Sequence, residues 1–203
     1  MPANVLSLGD TFGQSAPIAT AGYTGETRVS DRHARYMEAV LRGAVFYAAN
    51  NAVQALSVAS STYTGLAVAN PTGSGKNLVI IDIAFGLDAL QTGFSALAIG
   101  TAATVALTAG ASTGPTNCLI GAGTGSVAKA GASATLGAAP VIARILAGAQ
   151  WVTTGTTSNI QLVKDEIAGL ITLTPGQLVC IEAITTAVSG LAHITWEEVS
   201  INA

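Results

Sequence analysis

Charge is scarce in this 203-residue chain. Asp, Glu, Lys and Arg make up 9% of it, against roughly 25% in ordinary globular domains. Aromatic residues make up 5%, and there are only two histidines and two cysteines. Each shortage excludes something. With His33 and His193 alone, a general base that is also oriented is hard to place. His33 stands among arginines with Asp31 and Glu38 nearby, and reads as a polar helix residue or an interface hydrogen-bonder. His193 precedes Glu197 by four residues, which on a strand exceeds about 10 Å, too far for a direct pair. Cys118 and Cys180 have neither metal spacing nor a C-x-x-C partner. Two free thiols in a reducing compartment are the default reading, with a single disulfide still open. The N-terminus has no basic region followed by an apolar one, so no secretory signal is expected. The net charge of −3 offers no general attraction to nucleic acid.

No charged residue occurs between Asp88 and Lys129. A membrane span is not expected there. The stretch is Ala, Gly, Thr and Ser broken by Gly93, Gly100, Gly110, Gly114 and Pro115, with no run of about 20 strongly apolar residues. Half of the whole chain is apolar, and a surface this poor in charge points to a subunit covered by neighbours in an assembly.

The cations that do occur are concentrated. Arg28, Arg32, Arg35 and Arg42 are half of the eight Lys and Arg residues. No aromatic stacking set joins them beyond Tyr36, so they read as a solvated or interface-paired face and not as a nucleic-acid site. Residues 1–29, which hold Gly9, Gly13, Pro17, Gly22 and Gly25 and few large apolar groups, read as an extended arm ordered by contact. Ser30-Asp31 can cap a short helix that Gly43 ends. Tyr36, Met37, Val40 and Leu41 form an apolar stripe on it at helical spacing.

After Gly43 the texture is that of short strands. Val45–Tyr47, Val53–Val58, Tyr63–Val68 and Leu78–Phe85 come first, then a weak alternation from Ala96 to Thr108. Residues 109–139 are low in complexity, with Cys118-Leu119-Ile120 as the one firm apolar island, and read as loops, bulges and one strand. Pro140–Leu146, Ile160–Val163, Gly169–Leu173, Leu178–Ile184 and Ala192–Val199 resume the pattern. Thr174-Pro175-Gly176-Gln177 is a turn by its chemistry, and Ser189-Gly190 marks another. In the last strand Ala192, Ile194 and Trp196 share one face; His193, Thr195 and Glu197 share the other. The expected architecture is all-β: an antiparallel β-sandwich, jelly-roll-like, over residues 44–203, preceded over residues 1–43 by an extended arm and one short helix.

One stretch invites an enzymatic reading. Asn70 to Asn77 reads NPTGSGKN, close to the phosphate-binding loop G-x-x-x-x-G-K-[ST]. Both ends fail, because residue 70 is Asn where Gly is needed and residue 77 is Asn where a hydroxyl is needed. A β-branched run follows instead of the helix whose N-terminus would hold phosphate. A hairpin connection explains the same letters, Asn-Pro opening a turn and the glycines supplying positive φ. Carboxylate chemistry is also weak. Glu197 and Glu198 point to opposite faces of a strand. Glu182 could face either across paired strands, the only arrangement here suggesting glycoside hydrolysis. Asp165-Glu166 reads as a solvated turn, and Trp196 as a core or interface anchor. No catalytic, cofactor-binding or metal-binding set is expected.

Three segments together resemble a known group. TGETRVSDRHARYMEAVLRGAVFYAAN (24–50), TGLAVANPTGSGKNLVIIDIAFGL (64–87) and AHITWEEVSI (192–201) are similar in order and content to small virion structural proteins of tailed bacteriophages. The matching positions are His33, Arg35, Tyr36, Glu38, Arg42, Gly43 and Phe46, then Asn70, Pro71, Gly73, Ser74, Gly75 and Asn77. The resemblance implies a virion protein assembled in the host cytoplasm. Capsid cement or decoration subunit is the leading expectation, and a tail, baseplate or head-fibre module for host recognition is the alternative. It further implies the major capsid protein as partner and a homo-oligomer with a trimer favoured; the charge and the broken apolar stretch leave neither nucleic acid nor membrane as an expected target. Arg28, Arg32, Arg35, Tyr36 and Arg42 are the expected partner-binding residues, pairing with carboxylates of the shell.

Overall fold

A computed structural model of the chain describes residues 20–21, 27–28, 35–56, 58, 62–88, 94–103, 114–121, 125–136, 138–150 and 162–201. The chain divides into two units, Met1–Glu38 and Ala39–Ala203. In the first, strands β1 (Thr20–Ala21) and β2 (Thr27–Arg28) pair antiparallel, with Thr20 opposite Arg28. The expected cap at Ser30-Asp31 lies outside the described residues.

Helix α1 (Met37–Leu41) is five residues long. Gly43 ends it at φ 67°. The Gly43 amide donates to the Val40 carbonyl at 2.9 Å and the Ala44 amide to that of Ala39 at 3.0 Å. This is a Schellman closure, which needs the left-handed residue that glycine supplies without penalty.

Among the described residues, twelve strands follow. They are β3 (Val45–Ala49), β4 (Gln54–Leu56), β5 (Thr62–Ala69), β6 (Lys76–Leu87), β7 (Phe94–Ala103), β8 (Thr116–Asn117), β9 (Lys129–Thr135), β10 (Val141–Gln150), β11 (Leu162–Glu166), β12 (Thr172–Leu173), β13 (Gln177–Ala183) and β14 (Val188–Ser200). They form two antiparallel sheets. One has the order β10-β7-β13-β5-β9; the other runs β11-β6-β14-β3-β8, with β12 also on β6 and β4 also on β14. The all-β sandwich with one short helix is therefore the fold.

The core lies between the sheets. Leu66, Val68, Leu97, Ile99, Val179 and Ile181 from the first meet Phe46, Ile80, Ile83, Phe85, Ile194 and Trp196 from the second. Each large side chain buried there contributes about 1.5–3 kcal/mol. Phe46 and Trp196 stack with centroids 6.3 Å apart. Along β14 the burial alternates as its period-2 pattern requires, with Ala192, Ile194 and Trp196 inward. The five-stranded sheet also buries its other face. Tyr63, Ala67, Ala69, Ala102, Leu136, Leu178 and Cys180 form a second cluster there. Burial on both faces is why β13 is buried continuously from Leu178 to Ala183.

Four local expectations are corrected. First, β5 and β6 lie in different sheets, so NPTGSGKN is a corner between sheets and not a hairpin turn between paired strands. Second, Ser189-Gly190 lies inside β14. The glycine is needed for close approach, since a Cβ on it would meet the Gly86 carbonyl oxygen at 2.1 Å and the Phe85 ring at 2.6 Å. Third, Asp165-Glu166 lies within β11 and not in a turn. Fourth, the described part of residues 109–139 holds two strands and not one: β8 on the seven-stranded sheet and β9, made of Lys, Ala, Gly, Ser and Thr, on the five-stranded sheet. The Cys118–Ile120 island follows β8 as a turn, with Ile120 76% exposed.

Candidate functional site

The expected contact residues are placed unevenly. Arg28 has its backbone in β2, and Arg32 lies outside the described residues. The Arg35 guanidinium sits 5.4 Å from the centre of the Tyr36 ring, a cation–π distance. The Tyr36 hydroxyl is buried with no hydrogen-bond partner. Arg42 Nη2 approaches Glu197 Oε1 at 3.6 Å, with 63% of the Arg42 side chain exposed. An ion pair this exposed contributes little to stability, so the guanidinium remains available to a partner. The helix before it buries only Ala39 fully. Met37 and Leu41, one turn apart, are both exposed, Leu41 at 58%. The apolar stripe read on this helix is thus largely left facing outward.

The NPTGSGKN corner is a structural clamp. Gly73 and Gly75 take φ values of 78° and 70°, as the turn requires. Asn70 is fully buried, and its amide donates to the carbonyls of Lys76 at 2.8 Å and Leu173 at 2.9 Å. Its backbone accepts from Gly176 and donates to Gln177, both at 2.8 Å, tying the corner to the Thr174–Gln177 turn. Lys76 opens β6 rather than a helix, and its Nζ is held 2.8 Å from Oε2 of Glu198. The other oxygen of Glu198 accepts from Ser126 Oγ at 2.5 Å and the Val127 amide at 2.9 Å. Its carboxylate is thus buried but fully engaged.

On the outer face of the seven-stranded sheet lies a cluster that the reading of the sequence missed. His193 Nε2 and Thr195 Oγ1 are 3.0 Å apart. His193 Nδ1 lies 3.6 Å from Asp82 Oδ1, and Lys164 Nζ 3.7 Å from Asp82 Oδ2. Tyr47 tilts against the imidazole at 6.1 Å. Hydroxyl, imidazole and carboxylate follow the order of a nucleophile, base and orienting acid. The second leg is too long for a hydrogen bond, so the three groups do not form a continuous hydrogen-bonded relay. Cys118 is a free thiol, pushed up by partial burial and then by the Asp82 charge. The sequence signal was Asp82 as the lone charge in an apolar run. What was missing was the register that sets it opposite Thr195.

Glu182 does not meet Glu197 or Glu198 through strand pairing, because β13 and β14 belong to different sheets. Its carboxyl oxygens are buried without hydrogen-bond partners, packed over Gly100 and Pro140. Burial pushes its carboxyl above the ordinary range. On the same sheet Tyr63 and Cys180 are also pushed up, by burial first; Cys180 and then Glu182 add to it at Tyr63, and Glu182 at Cys180. The Tyr63 hydroxyl donates to the Ile181 carbonyl. Among the described residues no group of three His, Cys, Asp or Glu side chains could hold a metal ion. No known protein family, no curated protein and no solved structure matches the chain.

Proposed function

We propose that this chain is a virion structural protein of a tailed bacteriophage: a cement or decoration subunit that stabilises the head shell by protein–protein contacts. The observation that carries the reading is the exposure of Met37, Leu41 and Arg42 around helix α1. Apolar groups beside an available guanidinium are the composition of an interface core with a charged partner. The segment resemblance described above and the low charge of the whole chain support the same reading. On it, the partner is the major capsid protein, whose carboxylates meet Arg28, Arg32, Arg35 and Arg42, and the subunit is a homo-oligomer, a trimer by the same resemblance. Removing residues 1–29 should abolish binding to empty shells. Undiminished binding would remove the arm from the contact. Labelling the subunit in intact particles tests location: signal over the head agrees with the proposal, and signal confined to the tail overturns it.

A further inference from the structure

Glu182 is fully buried, and neither of its carboxyl oxygens has a hydrogen-bond partner. Strand register sets its surroundings. Glu182 pairs with Ala98 on β7, and Cys180 with Gly100. Across β7, Ile145 of β10 pairs with the same Ala98 and Ile142 with the same Gly100. All of these residues share the outer face of the five-stranded sheet. A Cβ on Gly100 would meet Glu182 Oε1 and Pro140 Cβ, both at 2.9 Å. The carboxyl therefore leans over Gly100, and Pro140, the buried residue before β10, closes it in. Among the described residues, the other titratable groups beside it on this face are Tyr63 from β5 and Cys180 from β13. Both have their hydrogens committed, Tyr63 to the Ile181 carbonyl and Cys180 to the Gly100 carbonyl at 3.7 Å. β7 presents Ala98, Gly100 and Ala102 there, and β10 presents Ile142 and Ile145, whose side chains donate nothing. Arg144 pairs with Ile99, on the opposite face, and its Nε lies 2.7 Å from Asp165 Oδ2. Lys129 stands opposite Ala69, two strands away from β13.

We propose that the edge strand β10 is a pH-operated latch: protonated Glu182 lets Pro140 and the start of β10 close against β7, and ionised Glu182 opens them. A carboxylate without a donor or a cation is not held in an apolar site, so ionisation requires a path to water. The path runs over Ala98 and Gly100, which carry almost no side chain, to the edge of the sheet. β10 is also the strand fit to yield. It ends its sheet, Val141 to Ile145 are exposed, and register shifts at Ile142/Arg144 and Ile145/Ala147 break its ladder twice. Such a strand opens locally at lower cost than the rest of the sandwich. The sign follows from the carboxyl, which burial raises in the closed form. The latch is shut below the ordinary carboxylate range near pH 4. It loosens as pH rises through the closed-form value and levels off above it.

The inference rests on the sandwich alone and is independent of the virion reading. The test is amide hydrogen exchange of the full chain between about pH 4 and pH 8, corrected for the intrinsic pH dependence of exchange. Amides of β10 should be less protected than those of β14 at every pH and insensitive to dilute urea, as a local opening requires. Relative to Glu182→Gln, wild-type β10 should lose protection by about tenfold or more across the range, one unit of pKa separation being a factor of ten. Glu182→Met, also uncharged at every pH, should behave as Glu182→Gln does, and carries the comparison alone if the amide variant does not fold. Wild-type β10 protection that follows the variants at every pH overturns the proposal. So does β10 exchange that occurs only with the protection and urea dependence of β14, since the strand would then open only when the whole sandwich unfolds.

Discussion

Lys76 Nζ lies 2.8 Å from Glu198 Oε2, and the Glu198 side chain is wholly buried while that of Lys76 is 35% exposed. A lysine in a stretch that only superficially matches a phosphate loop neutralises a carboxylate inside the sandwich. Lys76→Met is therefore expected to destabilise the fold by about 1–3 kcal/mol, the two remaining hydrogen bonds to Glu198 limiting the loss. Adding Glu198→Gln should recover much of it. Urea midpoints of the two single variants and the double variant measure the coupling. Millimolar magnesium–ATP should leave the wild-type Tm where it is, since the amine is already engaged.

Gly190 and Gly86 offer a paired test of packing. A Cβ at Gly190 would meet backbone oxygen at 2.1 Å, whereas one at Gly86 meets nothing within 4 Å. Gly190→Ala should cost at least about 2 kcal/mol through overpacking against backbone that cannot yield. Gly86→Ala should change stability by under about 1 kcal/mol, its strand propensity being similar or better. Thermal melts of the two variants side by side decide it.

Glu182 gives the fold a pH dependence opposite in sign to that of a salt-bridged carboxylate. Its folded pKa is raised by burial, so the native state holds a proton that the unfolded chain releases near pH 4. Its contribution is fully present below the unfolded pKa and is lost as pH rises through the folded one. Glu182→Gln keeps a neutral side chain at every pH. The variant should match the wild type most closely near pH 4 and become progressively the more stable of the two toward pH 8. Urea unfolding of both proteins across that range provides the curve, and a constant difference would refute the assignment.

Much of this architecture is legible in the residues, for physical reasons that also mark the limits. β14 is readable because one face is buried and the other is not, which imposes alternation on Ala192, Ile194 and Trp196. Gly43 is readable because few residues other than glycine close a helix at positive φ. β9 is not, because Ala130 and Ala132 are small residues buried beside β5 and carry none of the β-branched signal. The NPTGSGKN corner announces a reversal of the chain but not which sheet receives it. Asp82, His193 and Thr195 are individually visible, yet only the pairing of β6 with β14 joins them. Helix α1 shows a different limit: a stripe of Met37, Val40 and Leu41 ordinarily predicts burial, and here two of the three stay exposed.

That exposure separates function from stability at one helix. Arg42→Ala removes a solvent-exposed ion pair with Glu197 and should change stability by at most about 1 kcal/mol. Leu41→Glu replaces a side chain already 58% exposed, so its fold should likewise hold within about 1 kcal/mol. If the helix contacts the shell, both variants should lose binding: Leu41→Glu by about 30-fold or more, as a charge driven into an apolar contact, and Arg42→Ala by about tenfold, as a lost rim pair. Co-sedimentation with empty shells, alongside urea midpoints, measures both quantities on the same samples. Variants that keep wild-type stability and bind shells undiminished would move the contact away from helix α1.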